Sequence, residues 1–218
     1  MRAVVCRRAM LLAALATQLA GCGVIPTFHP EVQRGTSVPA DHVLLVGRID
    51  LIPPLRADDQ KIRVGRVDPF DTEGKLRNRA VFFLADDLGS ERRQTGSVMN
   101  PALGEWFVVA LPRSKRFVAD AAVFMAYEPQ LRGRRQATVE TSQLVLPALF
   151  AFDLRPTDQA VYIGSWRVWR DEFNQVTRLE IDDESAAAAA ALARQVDAGV
   201  ALRAALPDVP GRQCRKRC

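Results

Sequence analysis

Residues 160–169 read AVYIGSWRVW, followed by DEFNQ at 171–175 and VTRLEI at 176–181. Aromatic and β-branched residues dominate both runs, and such side chains suit the pleated, half-buried surface of a strand. Polar turn formers separate the runs, so the spacing predicts an antiparallel hairpin with a five-residue loop. Asp182-Asp183-Glu184 comes next, and then an Ala/Leu-rich stretch that begins with Ala186–Ala191. The acids are expected to cap a helix, because a carboxylate can accept from the free N–H groups of the first turn and suits the positive helix end. The pattern extends the helix to about Leu206 and Pro207 stops it. Ala188, Leu192, Val196, Gly199, Leu202 and Leu206 share one side at helical spacing. Glycine inside a helix costs about 1 kcal/mol relative to alanine. Gly199 therefore predicts a close approach to the sheet near Tyr162 or Leu179.

Upstream the chain is a series of short strand-like runs broken by proline, glycine and charge. His42–Leu51 (HVLLVGRIDL) alternates so that Val43, Leu45, Gly47, Ile49 and Leu51 form one face, the expected core face. Lys61–Val67 reads as an edge strand and Arg79–Ala85 (RAVFFLA) as a central one. Residues 91–104 are polar and read as loop. Glu105–Leu111, Ala119–Tyr127, Thr138–Val145 and Leu149–Leu154 read as further strands. Helices between strands, which an α/β fold requires, are missing from the pattern. The expected fold is mainly β: an antiparallel β-sandwich, immunoglobulin-like, with one C-terminal α-helix packed on it.

The first residues carry a different signal. Arg2, Arg7 and Arg8 precede an apolar run, Ala9–Ala20, in the layout of a secretory signal. The run is short of the roughly 20 apolar residues that a bilayer crossing needs. It ends in Leu19-Ala20-Gly21-Cys22, which resembles the lipobox of bacterial lipoproteins. By that resemblance the chain is cut before Cys22, whose thiol carries diacylglycerol and whose new amino group is acylated. Residues 1–21 are then the signal peptide, 22–41 a lipidated N-terminus and proline-containing tether, 42–207 the sandwich with its helix, and 208–218 a basic disordered tail. Position 23 is Gly rather than Asp. In Gram-negative lipoproteins Asp at that place often retains the protein at the inner membrane, so the resemblance implies an outer-membrane location facing the periplasm in such a host. The order of elements over 160–206 also resembles small uncharacterised bacterial lipoproteins with immunoglobulin-like domains, a group that supplies no activity.

Charge and rare residues narrow the chemistry. Three positive charges of the formal +5 belong to the signal, so no nucleic-acid partner is expected. Cys6 leaves with the signal, while Cys214 and Cys218 lie in the tail without nearby His. Two such cysteines make a poor zinc site, and no metal or cofactor is expected. His29 and His42 are the only histidines, which leaves little material for a Ser-His-Asp triad. Arg132-Gly133-Arg134-Arg135 reads as a solvated turn, and Asp86-Asp87 lacks the further oxygen ligands calcium needs. Gly164-Ser165-Trp166 lacks the second glycine of a nucleophile elbow.

Trp166 and Trp169 stand an odd number apart, so on a regular strand they face opposite sides. One fills the core. The other, beside Arg167 and Arg170, is either covered by the helix or free to anchor a partner, since Trp and Arg are favoured in binding hot spots. Two functional readings follow. The first is a membrane-anchored envelope lipoprotein with a non-catalytic binding or structural role, its partners the membrane through lipid on Cys22 and an envelope protein or glycan. The second is an envelope hydrolase using Ser165 or the acids near Asp182.

Overall fold

The computed structural model describes residues 27–207, apart from 36, 66–67, 69, 87–96, 133–135, 148–149 and 197–198. The signal, Cys22, Asp87, Gly133-Arg134-Arg135 and the tail with Cys214 and Cys218 lie outside the described residues. The fold is mainly β, with two sheets enclosing one apolar core, which fits a β-sandwich.

The seven-stranded sheet is built on β7 (Phe117–Arg132), the longest strand. One edge of β7 meets β4 (Val81–Ala85) and β3 (Lys61–Ile62), and the other meets β9 (Phe150–Ala151) and β8 (Gln136–Val145). Beyond β4 lie β5 (Ser97–Met99) and then β1 (Thr27–His29). The five-stranded sheet runs β11 (Val176–Asp182), β10 (Ala160–Arg170), β2 (His42–Ile52), β6 (Trp106–Pro112), with β12 (Leu202–Ala204) also against β10. Its first two strands are the hairpin of residues 160–182. On β2 the residues Val43, Leu45, Ile49 and Leu51 enter the core between the sheets, while Leu44 and Val46 are buried on the opposite face.

Several expectations are corrected. The sheets are mixed rather than antiparallel, because β2 and β10 pair in parallel along most of their length. β1–β5, β3–β7 and β10–β12 are parallel as well. Parallel neighbours need a long crossover, and here most of the seven-stranded sheet lies in the chain between β2 and β10. Ser97–Met99, inside the expected loop, is a strand whose three residues are all buried.

The late helix, α2 (Ser185–Gln195; α1 is Thr72–Leu76), is shorter than expected. It stops where Val196 turns extended, and residues 202–204 become β12 instead of helix. The reason lies in β10. Its partner β11 covers only Ser165–Arg170, which leaves the same edge of Ala160–Tyr162 open. Backbone groups in such a place need partners, and Leu202–Ala204 supplies them. Gly199 is therefore outside the helix, at φ 115° and with open space where a Cβ would stand. It does not mark a close helix–sheet contact. The helix meets the outer face of the five-stranded sheet through Ala188 and Leu192, which pack with Leu44, Val46, Val108 and Tyr162.

The stretch expected as a tether joins the fold at Thr27. β1 adds to the edge of the seven-stranded sheet, and Glu31 then bridges to Val109 on the edge of the other. Val32 donates its N–H to the carbonyl of Val108 at 2.7 Å and is buried against the outer face. Residues 27–34 thus form a strap that stitches the two sheets along one open side.

Candidate functional site

The residues singled out on β10 are placed by one irregularity. Tyr162 pairs with Val46 of β2 and Ser165 with Arg48, so β10 carries one more residue than its partner over this interval. The extra residue makes a β-bulge, and Gly164 within it has φ 102°. A Cβ at Gly164 would stand 2.2 Å from Cγ2 of Ile181. The bulge shifts the alternation. Val161 and Ile163 enter the core before it, and Trp166 and Val168 after it.

Trp166 is 1 % exposed and lies against Phe82 and Phe150, with its indole N–H donating to the carbonyl of Ile163 at 3.0 Å. It is a core residue rather than a surface anchor. Trp169 faces the other way, as the odd spacing predicts, and the Arg178 guanidinium lies 4.7 Å from its ring centroid. Such stacking of a cation on an aromatic face contributes about 0.5–1 kcal/mol at an exposed site. Arg170 is almost fully buried. It donates to the carbonyls of Pro53 and Pro54 and to Asp59, tying the end of β10 to the loop after β2. The N–H of Arg56 first, and Arg170 second, hold the Asp59 carboxyl below its ordinary value. Arg170 is therefore engaged within the fold.

Arg167 lies on the outer face with Asp182 at 3.0 Å and Glu184 at 3.8 Å. Behind it is a chain of hydrogen bonds. Ser165 donates to Glu184 at 2.8 Å, and the Tyr162 hydroxyl lies 3.2 Å from the Ser165 hydroxyl. Tyr162 donates to the carbonyl of Asp182 and accepts from the N–H of Glu184. These bonds explain another departure. Glu184, the residue that begins α2, makes no capping bond with its side chain. Its carboxylate serves Ser165 and Arg167 instead, and Asp183 accepts from the N–H of Ser185. Ser165 is 1 % exposed, so a substrate has no approach to its hydroxyl.

The outer face of the five-stranded sheet is thus divided. One half is apolar and lies under α2. The other carries Arg48, Asp50, Arg167, Trp169, Arg178 and Glu180 and is partly exposed. This uncovered half is the candidate interaction face, with charges of both signs beside one aromatic ring. Among the described residues no three His, Cys, Asp or Glu side chains cluster as metal ligands, and no helix is long and apolar enough to cross a membrane. Compared with family models, curated proteins and solved structures, the chain matches none.

Two features were missed from sequence. Gly164 inside a strand-like run is itself a signal for a bulge. The strap of residues 27–34 has no periodicity and offered only the apolar pair Phe28 and Val32.

Proposed function

We propose that the chain is a membrane-anchored envelope lipoprotein whose sandwich has a non-catalytic binding or structural role. The observation that carries this reading is Leu19-Ala20-Gly21-Cys22 at the end of a basic and apolar leader. Cys22 would bear the lipid, and Gly23 favours the outer membrane, facing the periplasm, in a Gram-negative host. A single acyl chain binds a bilayer marginally, whereas several anchor stably. The start of β1 at Thr27 agrees with such an anchor. Residues 23–26 separate Cys22 from β1, and five steps of extended chain span at most about 18 Å. The domain would sit close to the bilayer rather than on a long leash. Its partner, an envelope protein or glycan, would meet the uncovered face around Arg167 and Trp169.

The immunoglobulin-like assignment belongs to this same reading. Two sheets over one core support it, while the parallel β2–β10 ladder sets the domain apart from the wholly antiparallel plan.

The test is Cys22→Ser with membrane fractionation and intact mass. The wild-type chain should carry acyl mass on Cys22 and sediment with outer-membrane markers, and the variant should be soluble or unprocessed. An unmodified wild-type Cys22 would overturn the proposal, and wild-type protein found with inner-membrane markers would overturn its location.

A further inference from the structure

Between the strap, α1 and the last turn of α2 lies a solvent-open cleft of about 570 Å³. Pockets for small molecules fall in the range of about 300–1,000 Å³. Cations reach it from four separate stretches of chain: Arg34 on the strap, Lys75 on α1, Arg79 before β4, and Arg194 on α2. Two carboxylates, Glu31 and Asp71, also line it.

The polar groups are not equivalent. Glu31 is engaged: it pairs with Arg79 at 3.1 Å and accepts from the N–H of Ala102 at 3.2 Å. Arg79 is oriented in turn by donating to the carbonyl of Asn100 at 2.7 Å. Lys75 is held by the carbonyl of Phe70, with its ammonium 5.0 Å from the Phe28 ring centroid. Arg34 and Arg194 form no ion pair among the described residues. Arg194 also suits the negative end of α2, but that role does not account for cations arriving from the strap and α1. Gln195 also lines the cleft, and its amide oxygen is shielded from solvent with no hydrogen-bond partner among the described residues.

The geometry points to a binding site for a small anion bearing phosphate or carboxylate groups, held by Arg34 and Arg194, with Lys75 and Arg79 also lining the cleft. Guanidinium groups bind both kinds of anion through paired, charge-assisted hydrogen bonds. The inference deepens the binding role proposed above and rests on it, but it does not depend on lipid at Cys22. Loss of the anchor and loss of the ligand are therefore separate results.

The test is calorimetric titration of the full chain with inorganic pyrophosphate and, separately, with citrate at low ionic strength. At least one should bind saturably, and the tighter probe identifies the preferred group. Arg34→Ala combined with Arg194→Ala should weaken it at least tenfold, while Arg113→Ala with Arg116→Ala, on the turn before β7, should leave it unchanged. Urea melts matching wild type would show that both double variants fold. No saturable binding of either probe below about 10 mM, a level at which an interaction is weaker than a metabolite site needs, would overturn the inference. Equal binding by the Arg34/Arg194 variant, or equal loss in both double variants, would overturn it too.

Discussion

Gly164→Ala tests the bulge that sets the two faces of β10. Two costs add. Holding a residue other than glycine at φ 102° costs about 1–3 kcal/mol. The new methyl would also stand 2.2 Å from Cγ2 of Ile181, and an overpacked contact costs about 1–3 kcal/mol. Together the loss should be about 2–6 kcal/mol, a large part of the stability of an ordinary domain. The two costs can be separated with Ile181→Ala, which removes the clashing methyl but leaves the backbone strain. Urea unfolding of wild type, both single variants and the double variant gives the coupling directly. The double variant should be about 1–3 kcal/mol more stable than the sum of the singles. If the effects add within about 0.5 kcal/mol, the contact does not exist. If Gly164→Ala is as stable as wild type, residue 164 is not in the left-handed region. The shifted alternation, and with it the burial of Trp166, would then need another account.

Further outcomes are expected. Trp166→Ala should cost about 3–5 kcal/mol as a core deletion, whereas Trp169→Ala should cost under about 1 kcal/mol beyond its stacked cation; equal losses in urea melts would contradict the division of faces. The Arg203 guanidinium, helped by the N–H of Arg155, holds the buried Asp158 carboxyl below its ordinary value. A carboxyl depressed in the folded state stabilises above its unfolded value of about 3.9 and loses that contribution as pH falls through the folded value. Asp158→Asn should therefore lower stability at pH 7 by about 1.5–3 kcal/mol and flatten the acid limb of stability against pH; an unchanged acid limb would rule the pair out as its cause. Glu31→Ala should speed hydrogen exchange at the N–H groups of Val32 and Ala102 while the β2–β10 ladder stays protected. Uniform acceleration across the domain would mean that the strap opens only with global unfolding.

Much of the five-stranded sheet could be read from local pattern. Alternation on β2 placed Val43, Leu45, Ile49 and Leu51 in the core, and the charged turn at 171–175 placed the hairpin. These features depend on neighbours in sequence. The parallel pairing of β2 with β10 does not, and no local pattern encodes which distant strand lies alongside in which direction. The helix end failed for a related reason. Val196, Gly199 and Leu202 keep helical spacing, yet the open edge of Ala160–Tyr162 draws Leu202–Ala204 into a strand. Among the site residues, the opposite facing of the two tryptophans was legible from their spacing. The engagement of Arg170 with Asp59 was not, because it depends on a loop more than a hundred residues away.

The strap has a mechanical consequence. Any pull on the chain ahead of residue 27 enters the domain through β1. It meets first the three-residue ladder with β5, then the Glu31–Arg79 pair and the Val32–Val108 bond. These are few bonds, all at sheet edges, and edge elements open at free energies well below that of global unfolding. The strap is therefore the element that yields first under tension, ahead of the longer ladders between β2, β6 and β10. When it yields, Arg34 and the Phe28 wall leave the cleft together, so the domain would lose that pocket under force before it loses its fold.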